Sequence, residues 1–232
     1  MKTIMPIKSV SLAALAAATL FTAPALAQAP SEDNGTIIVT AGKRDEDIRQ
    51  VALSISAVTG EQLKEMNANS LSDYITRLPG VVFNDYQPGI SEVVIRGVAA
   101  TTYHEQGQTT VGYYLNEVPL VEPGFPIGIP DVDTFDLQRV EVLRGPQGTL
   151  FGKNTTAGAI NITTAEPSFA FSGRAQATYG SDNLQQYQGT ISGPLAGDVL
   201  AGRLTAYSTS RDGVVRNVTT GKDVADIGRK GV

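Results

Sequence analysis

The pattern of apolar and polar positions divides the chain into four stretches. Val10 to Ala23 is a nearly continuous apolar run, preceded by Lys2 and Lys8 with no acid and followed by Pro24 and Ala25-Leu26-Ala27. Basic, apolar and small-residue parts in that order predict a secretory signal peptide over residues 1–27, cleaved before Gln28. A membrane anchor is the other reading, but the run is short for the roughly 20 apolar residues of a span. Residues 28–49 form a polar arm around one apolar island, Thr36-Ile37-Ile38-Val39-Thr40-Ala41. Its first five residues are β-branched, which disfavours a helix and favours a strand. It reads either as a lone strand, suited to addition onto another protein's sheet edge, or as the first strand of the domain that follows.

Residues 50–166 carry mixed periodicities. Val51 to Val58 predicts a strand, and Thr59-Gly60-Glu61-Gln62 has the spacing of a capping box, with Leu63 and Met66 as a short apolar face. Ser70 with Asp73 opens a second helix, whose Leu71, Tyr74, Ile75 and Leu78 share one face before Pro79-Gly80 stops it. Short strands follow at Val81–Phe83, Val93–Val98, Val111–Leu115, Val118–Leu120, Arg139–Leu143 and Ala159–Thr164, with Asn116-Glu117 as a turn. The fold class expected is α+β, a small mixed sheet with short helices. In residues 167–232 the polarity alternates at every second position. Gln186, Gln188, Thr190 and Ser192 interleave with Tyr187, Gly189 and Ile191, and similar runs cover 174–179 and 200–211. Alternation over segments of about ten residues suits a transmembrane β-barrel wall and equally one face of a soluble antiparallel sheet. Three such strands cannot close a barrel, whose smallest form has about eight, so the stretch reads as a wall cut off part-way.

Composition narrows the chemistry. The 232 residues contain no cysteine, which excludes disulfide scaffolds, thiolate metal sites and cysteine nucleophiles. His104 is the one histidine, so no His pair is available to a metal, and no convergent nucleophile–base pair supports a secreted hydrolase. The net charge of −5 becomes more negative once Lys2 and Lys8 depart, which leaves no electrostatic footprint for nucleic acid. Gly152-Lys153 suggests a phosphate loop, but Gln147 stands where its first glycine is required and Asn154 where its Ser/Thr is required. No enzyme, cofactor or metal site is expected.

Glu141-Val142-Leu143-Arg144-Gly145-Pro146-Gln147-Gly148-Thr149-Leu150-Phe151-Gly152, running into Asn154 to Ile162, closely resembles the most recognisable stretch of TonB-dependent outer-membrane receptors. Three further pieces fall in family order: Thr36 to Ala41 resembles the TonB box, Leu71 to Val81 the early plug helix, and Val94-Ile95-Arg96-Gly97 the central plug strand. The resemblance covers nearly the whole chain after the signal.

The resemblance implies an N-terminal plug (residues 50–166) filling a barrel of about 22 strands, of which residues 167–232 are the incomplete start. It implies energised uptake of a scarce nutrient, most often a ferric siderophore, across the outer membrane. Thr36, Ile37, Ile38, Val39, Thr40 and Ala41 would pair as an added strand with the C-terminal domain of TonB, driven by ExbB and ExbD. Arg96 and Arg144 would pair with glutamates of the barrel wall; the other reading is that they bond to plug loops. Tyr86, Tyr103, His104, Gln106 and Phe125 are candidate ligand contacts, with a solvated loop as the plainer role for His104. Pro146 is expected to open a helical turn at its first position. A free-standing periplasmic plug-like module, or a fragment without transport activity, are the rival readings.

Overall fold

The computed structural model describes residues 36–87, 90–99, 109–120, 132–213, 215–221, 223–224 and 226–232. In chain order the elements are β1 (Ile38–Val39), β2 (Glu46–Asp47), β3 (Ile55–Thr59), α1 (Gly60–Glu65), α2 (Leu71–Ile75), β4 (Val81–Gln87), β5 (Ile90–Ile95), β6 (Val111–Leu115), β7 (Val118–Pro119), β8 (Leu137–Arg144), α3 (Gly148–Phe151) and β9 (Gly158–Thr164). Beyond them lie β10 (Ser172–Gly180), β11 (Leu184–Ala196), β12 (Leu200–Arg211), β13 (Val215–Arg216), β14 (Asp223–Val224) and β15 (Ile227–Gly231).

Both predicted helices start as their sequences dictate. The Thr59 hydroxyl accepts from the Gln62 N–H at 3.3 Å while the Gln62 side chain accepts from the Thr59 N–H at 3.0 Å. At α2 the Asp73 carboxylate takes the Ser70 N–H at 2.9 Å and the Asn69 N–H at 2.8 Å. Each reciprocal cap satisfies backbone donors that a short helix would otherwise leave bare. Pro146 departs from expectation: α3 begins at Gly148 with Gln147 as its N-cap, so the proline lies one residue before the cap and not at the first helical position.

The central sheet has the order β3-β8-β9-β6-β7, with β6 and β9 parallel and the other pairs antiparallel. It is covered on both faces. Val140 and Val142 of β8 and Ile160 and Ile162 of β9 point into one core with Leu63, Leu71, Tyr74 and Ile75 of the helices. The adjoining Leu143 and Ala159 point the other way, into a second core with Tyr114, Phe151, Val39 and Ala41. This is the two-residue period of a strand divided between two buried faces. Backbone packing leaves no room at Gly158, where a Cβ would stand 2.2 Å from the Leu143 carbonyl oxygen. Asn116 and Glu117 take φ of 48° and 68°, the left-handed pair of a tight hairpin turn between β6 and β7.

The alternating tail forms a second sheet, β10-β11-β12-β15, whose fourth strand the alternation did not reveal. Its polarity is inverted relative to a soluble sheet. Gln186, Gln188, Thr190 and Ser192 are buried against the first domain, whereas Tyr187, Ile191 and Leu204 face outward, Ile191 and Leu204 at 53% and 57% exposure. A soluble antiparallel sheet turns its apolar face to the core; a barrel wall around a polar filling turns it outward. The barrel reading therefore holds for these strands, which are left unclosed. Among the described residues no helix is long and apolar enough to cross a membrane.

Candidate functional site

Residues 37–41 are docked on the domain. Of the two readings left open for this strand, the structure shows packing on the sheet that follows. Ile38 pairs with Asp47 and Val39 with Glu46, a Lys43 N–H donates to the Thr40 carbonyl at 2.8 Å, and the Ile48 N–H donates to Ile37 at 2.9 Å. The arm thus folds into a small hairpin. Val39 and Ala41 are wholly buried beneath it, against Leu143, Ala159, Tyr114 and Phe151. Burial of the Val39 side chain contributes about 1.5–3 kcal/mol. Lys43 sits 4.5 Å from the Phe151 ring centroid and 3.3 Å from the Glu117 carboxylate. Ile38 remains half exposed on the outer side.

Thr40 meets the sheet through polar groups. Its N–H donates to Glu141 Oε1 at 2.7 Å, and its hydroxyl donates to the same carboxylate at 3.2 Å. Glu141, wholly buried, also accepts from Arg139 Nε at 2.8 Å. Asn161 Nδ2 donates to the Thr40 hydroxyl at 3.3 Å. Glu141 and Asn161 face each other across the β8–β9 pair.

Arg96 and Arg144 are brought together. Arg96 occupies a turn with φ of 54°, followed by Gly97 at 75°, and a non-glycine residue held there stores about 1–3 kcal/mol of strain. Its Nη2 donates to the Ser54 hydroxyl at 2.8 Å, and Arg144 Nη1 reaches the same oxygen at 3.5 Å. Arg144 Nη2 donates to the Ser56 hydroxyl, while its buried Nε has no acceptor among the described residues. Burial, and then the neighbouring Arg96 charge, lower the Arg144 pKa from its ordinary value. Among the described residues neither guanidinium has an ion-pair partner. Two like charges around serine hydroxyls, with a buried donor left over, form a site that a carboxylate would complete.

A contact between the loop before β8 and the second sheet was not foreseen; it sets the carboxylate on the loop and the arginine on the strand, the reverse of the pairing expected for Arg96 and Arg144. Asp136, on the loop before β8, is held by Arg203 of β12, whose Nε lies 3.0 and 2.8 Å from the two carboxylate oxygens. The Thr205 hydroxyl donates to the same group, and the Thr190 hydroxyl lies 2.9 Å from it, placed to donate in turn. Burial alone would raise the Asp136 pKa, but the Arg203 and Thr205 hydrogen bonds bring it below the ordinary carboxylate value. Around this clamp Arg174 stacks 4.1 Å from the Phe135 ring centroid and bonds its carbonyl, Gln188 reaches Asp133, and Gln186 reaches Asn69 at 2.8 Å.

Of the candidate ligand contacts, Tyr86 is a position in β4, and Tyr103, His104, Gln106 and Phe125 lie outside the described residues. Among the described residues no three His, Cys, Asp or Glu side chains gather into a metal site.

Comparison with known proteins bears on this arrangement. Residues 47–159 match the model of the TonB-dependent receptor plug domain. The chain is 31% identical over 207 residues to the pesticin receptor of Yersinia pestis, a match that covers 88% of this chain and 30% of the relative. It is 28% identical over 204 residues to the vitamin B12 transporter BtuB of Photobacterium profundum, covering 88% of this chain and 32% of that protein. Among solved structures, the ferric yersiniabactin uptake receptor FyuA from Yersinia pestis superposes with a TM-score of 0.66 at 29% identity, covering 77% of this chain and 27% of that one. The chain thus spans about a third of the length of these two relatives. The family match begins at residue 47, so the docked strand at 37–41 lies outside it.

Proposed function

Residues 47–159 belong to the TonB-dependent receptor plug family, and from that premise we propose that the chain is the N-terminal part of an outer-membrane receptor for energised nutrient uptake. The observation that carries the proposal is the seating of a plug on wall strands whose polar face is inward and apolar face outward. The ligand class proposed is a ferric siderophore or a molecule of similar size and scarcity, in line with relatives such as the ferric yersiniabactin uptake receptor. No covalent chemistry is assigned to the chain. Its work is to close a barrel, register a ligand on the outer side and pass that event to the periplasmic side.

In this reading residues 36–41 are the TonB box. Ligand capture releases the docked strand, which pairs with the C-terminal domain of TonB by backbone hydrogen bonds, with ExbB and ExbD supplying the energy. A short β-branched strand with one half-exposed residue, Ile38, has the composition for strand addition. Arg96 and Arg144 are assigned to carboxylates on wall strands beyond residue 232, which would neutralise the paired guanidinium charges. The four wall strands weigh against a free-standing periplasmic module, which has no use for an outward apolar face. The test is Ile38→Pro, which removes a backbone donor from the box. Ligand uptake is expected to fall to background with ligand binding retained, and undiminished uptake would refute the box assignment.

A further inference from the structure

A strand buried on both faces is expected to be apolar throughout, and the fully buried stretches of β8 (140–143) and β9 (158–162) meet that expectation except at one level. Val140-Glu141-Val142 and Ile160-Asn161-Ile162 each place a polar residue between two apolar ones, and these two are register partners. Both are buried, Glu141 at 0% and Asn161 at 1% exposure. Both address the same residue, Thr40. A buried carboxylate is costly unless its hydrogen bonds are met, so its presence in this layer calls for a role.

We propose that Glu141 is the positioning residue of the arm, a buried carboxylate seat that holds the Thr40 backbone N–H and competes directly with an added strand for it. The proposal rests on the reading of residues 36–41 as the TonB box and deepens it. The hydrogen bonds divide into two groups. Thr40 supplies the N–H at 2.7 Å and a hydroxyl at 3.2 Å, both of which leave with the arm. Arg139 supplies its Nε at 2.8 Å from within β8 and stays, itself steadied by Gln138 at 2.9 Å. The carboxylate therefore keeps a charge partner when the arm departs, and the seat is ready to receive it again.

Asn161 sharpens the effect. Its Oδ1 has no donor among the described residues, and its Nδ2 depends on the Thr40 hydroxyl. Departure of the arm strands that donor as well, which opposes release. Strand addition uses the backbone N–H groups of the box, and one N–H cannot serve the Glu141 carboxylate and a partner carbonyl together. Seat and partner are thus mutually exclusive, and the strength of the seat sets how much of the arm is available before ligand arrives.

The experiment uses the full-length protein in outer-membrane vesicles with Val39→Cys as the reporter. Val39 is wholly buried in the docked arm and residues 1–232 contain no cysteine, so thiol labelling in excess of that of the parent protein reads opening of the arm. Glu141→Gln is expected to raise the labelling rate at least about tenfold and to tighten binding of soluble TonB C-terminal domain by a similar factor, the effect of weakening one charge-assisted hydrogen bond. An unchanged labelling rate would overturn the seat and leave apolar packing, the hairpin pairing and the Lys43 contacts as the restraints on the arm. Should that variant fail to assemble, Thr40→Val carries the test: labelling is expected to rise about fivefold, and no rise would overturn the proposal. Faster labelling without any binding of the TonB domain would uphold the seat and refute the box reading on which its competition depends.

Discussion

The clamp between plug and wall predicts a large cost for a single charge. In Asp136→Asn the side chain keeps its size, but the Arg203 guanidinium, seated with about a fifth of its side chain exposed, loses its only ion-pair partner among the described residues. Breaking a fully buried pair costs roughly 3–5 kcal/mol, and a fully exposed one about 0–1 kcal/mol. With both partners under 20% exposed, and two Nε–carboxylate contacts plus the Thr205 bond at stake, the expected loss is about 2–3 kcal/mol. The assay is a double-mutant cycle on the full-length protein in detergent, read by thermal unfolding and by protease cleavage within the plug, using Asp136→Asn, Arg203→Met and the double variant. Contacting residues should couple, so the double variant is expected to lose markedly less than the two single losses combined. Strict additivity would refute the clamp. The pH dependence has a definite sign. A carboxylate whose folded pKa is depressed contributes stability above its unfolded value near 3.8 and loses it as pH falls through the lower folded value. The difference between parent and Asp136→Asn should therefore be constant near neutrality and vanish only in strong acid.

Three further outcomes are expected. Thr59→Ala removes the hydroxyl half of the α1 capping box and should cost about 1 kcal/mol, measured as a lowered unfolding temperature with uptake unchanged. Ile191→Arg places a charge on the outward face beside Leu204, its partner across β11 and β12, and should cost about 2–4 kcal/mol if the site is near the bilayer midplane. Its signature would be loss of heat-modifiable protein from the outer-membrane fraction, whereas a soluble sheet would tolerate the change. Gly158→Ala forces a Cβ to within 2.2 Å of the Leu143 carbonyl oxygen and should prevent assembly of the plug, detected as loss of the folded band.

How much of this could be read in advance depended on the range of the interaction. Thr59 with Gln62 and Ser70 with Asp73 lie three residues apart, so both caps were legible as spacing. The alternation of Gln186, Gln188, Thr190 and Ser192 with Tyr187 and Ile191 was equally plain, yet it did not say which face turned inward. That depended on Asn69, Asp133 and Asp136, which stand on the far side of the molecule in sequence and beside the wall in space. Arg96 and Arg144 were singled out by resemblance, but their convergence on Ser54 was not. The Thr40–Glu141 contact spans 101 residues, beyond any periodic pattern. A signal for it did exist in the sequence: Glu141 and Asn161 are the polar interruptions in the apolar runs Val140 to Leu143 and Ala159 to Ile162. A buried polar residue in such a position requires a partner, and the arm was the segment with a matching need. The fourth wall strand, Ile227–Gly231, escaped because its glycines and charges show no alternation.

The central claim is that this chain is the plug and first wall strands of an outer-membrane receptor. It is tested most directly by fractionating the cells that make the protein and blotting with an antibody against residues 50–165. The account predicts an outer-membrane band roughly three times the 24.4 kDa of this chain, since the chain spans about 30% of its pesticin-receptor relative, shifting in mobility on heating in detergent. A soluble periplasmic band near 24 kDa would contradict it.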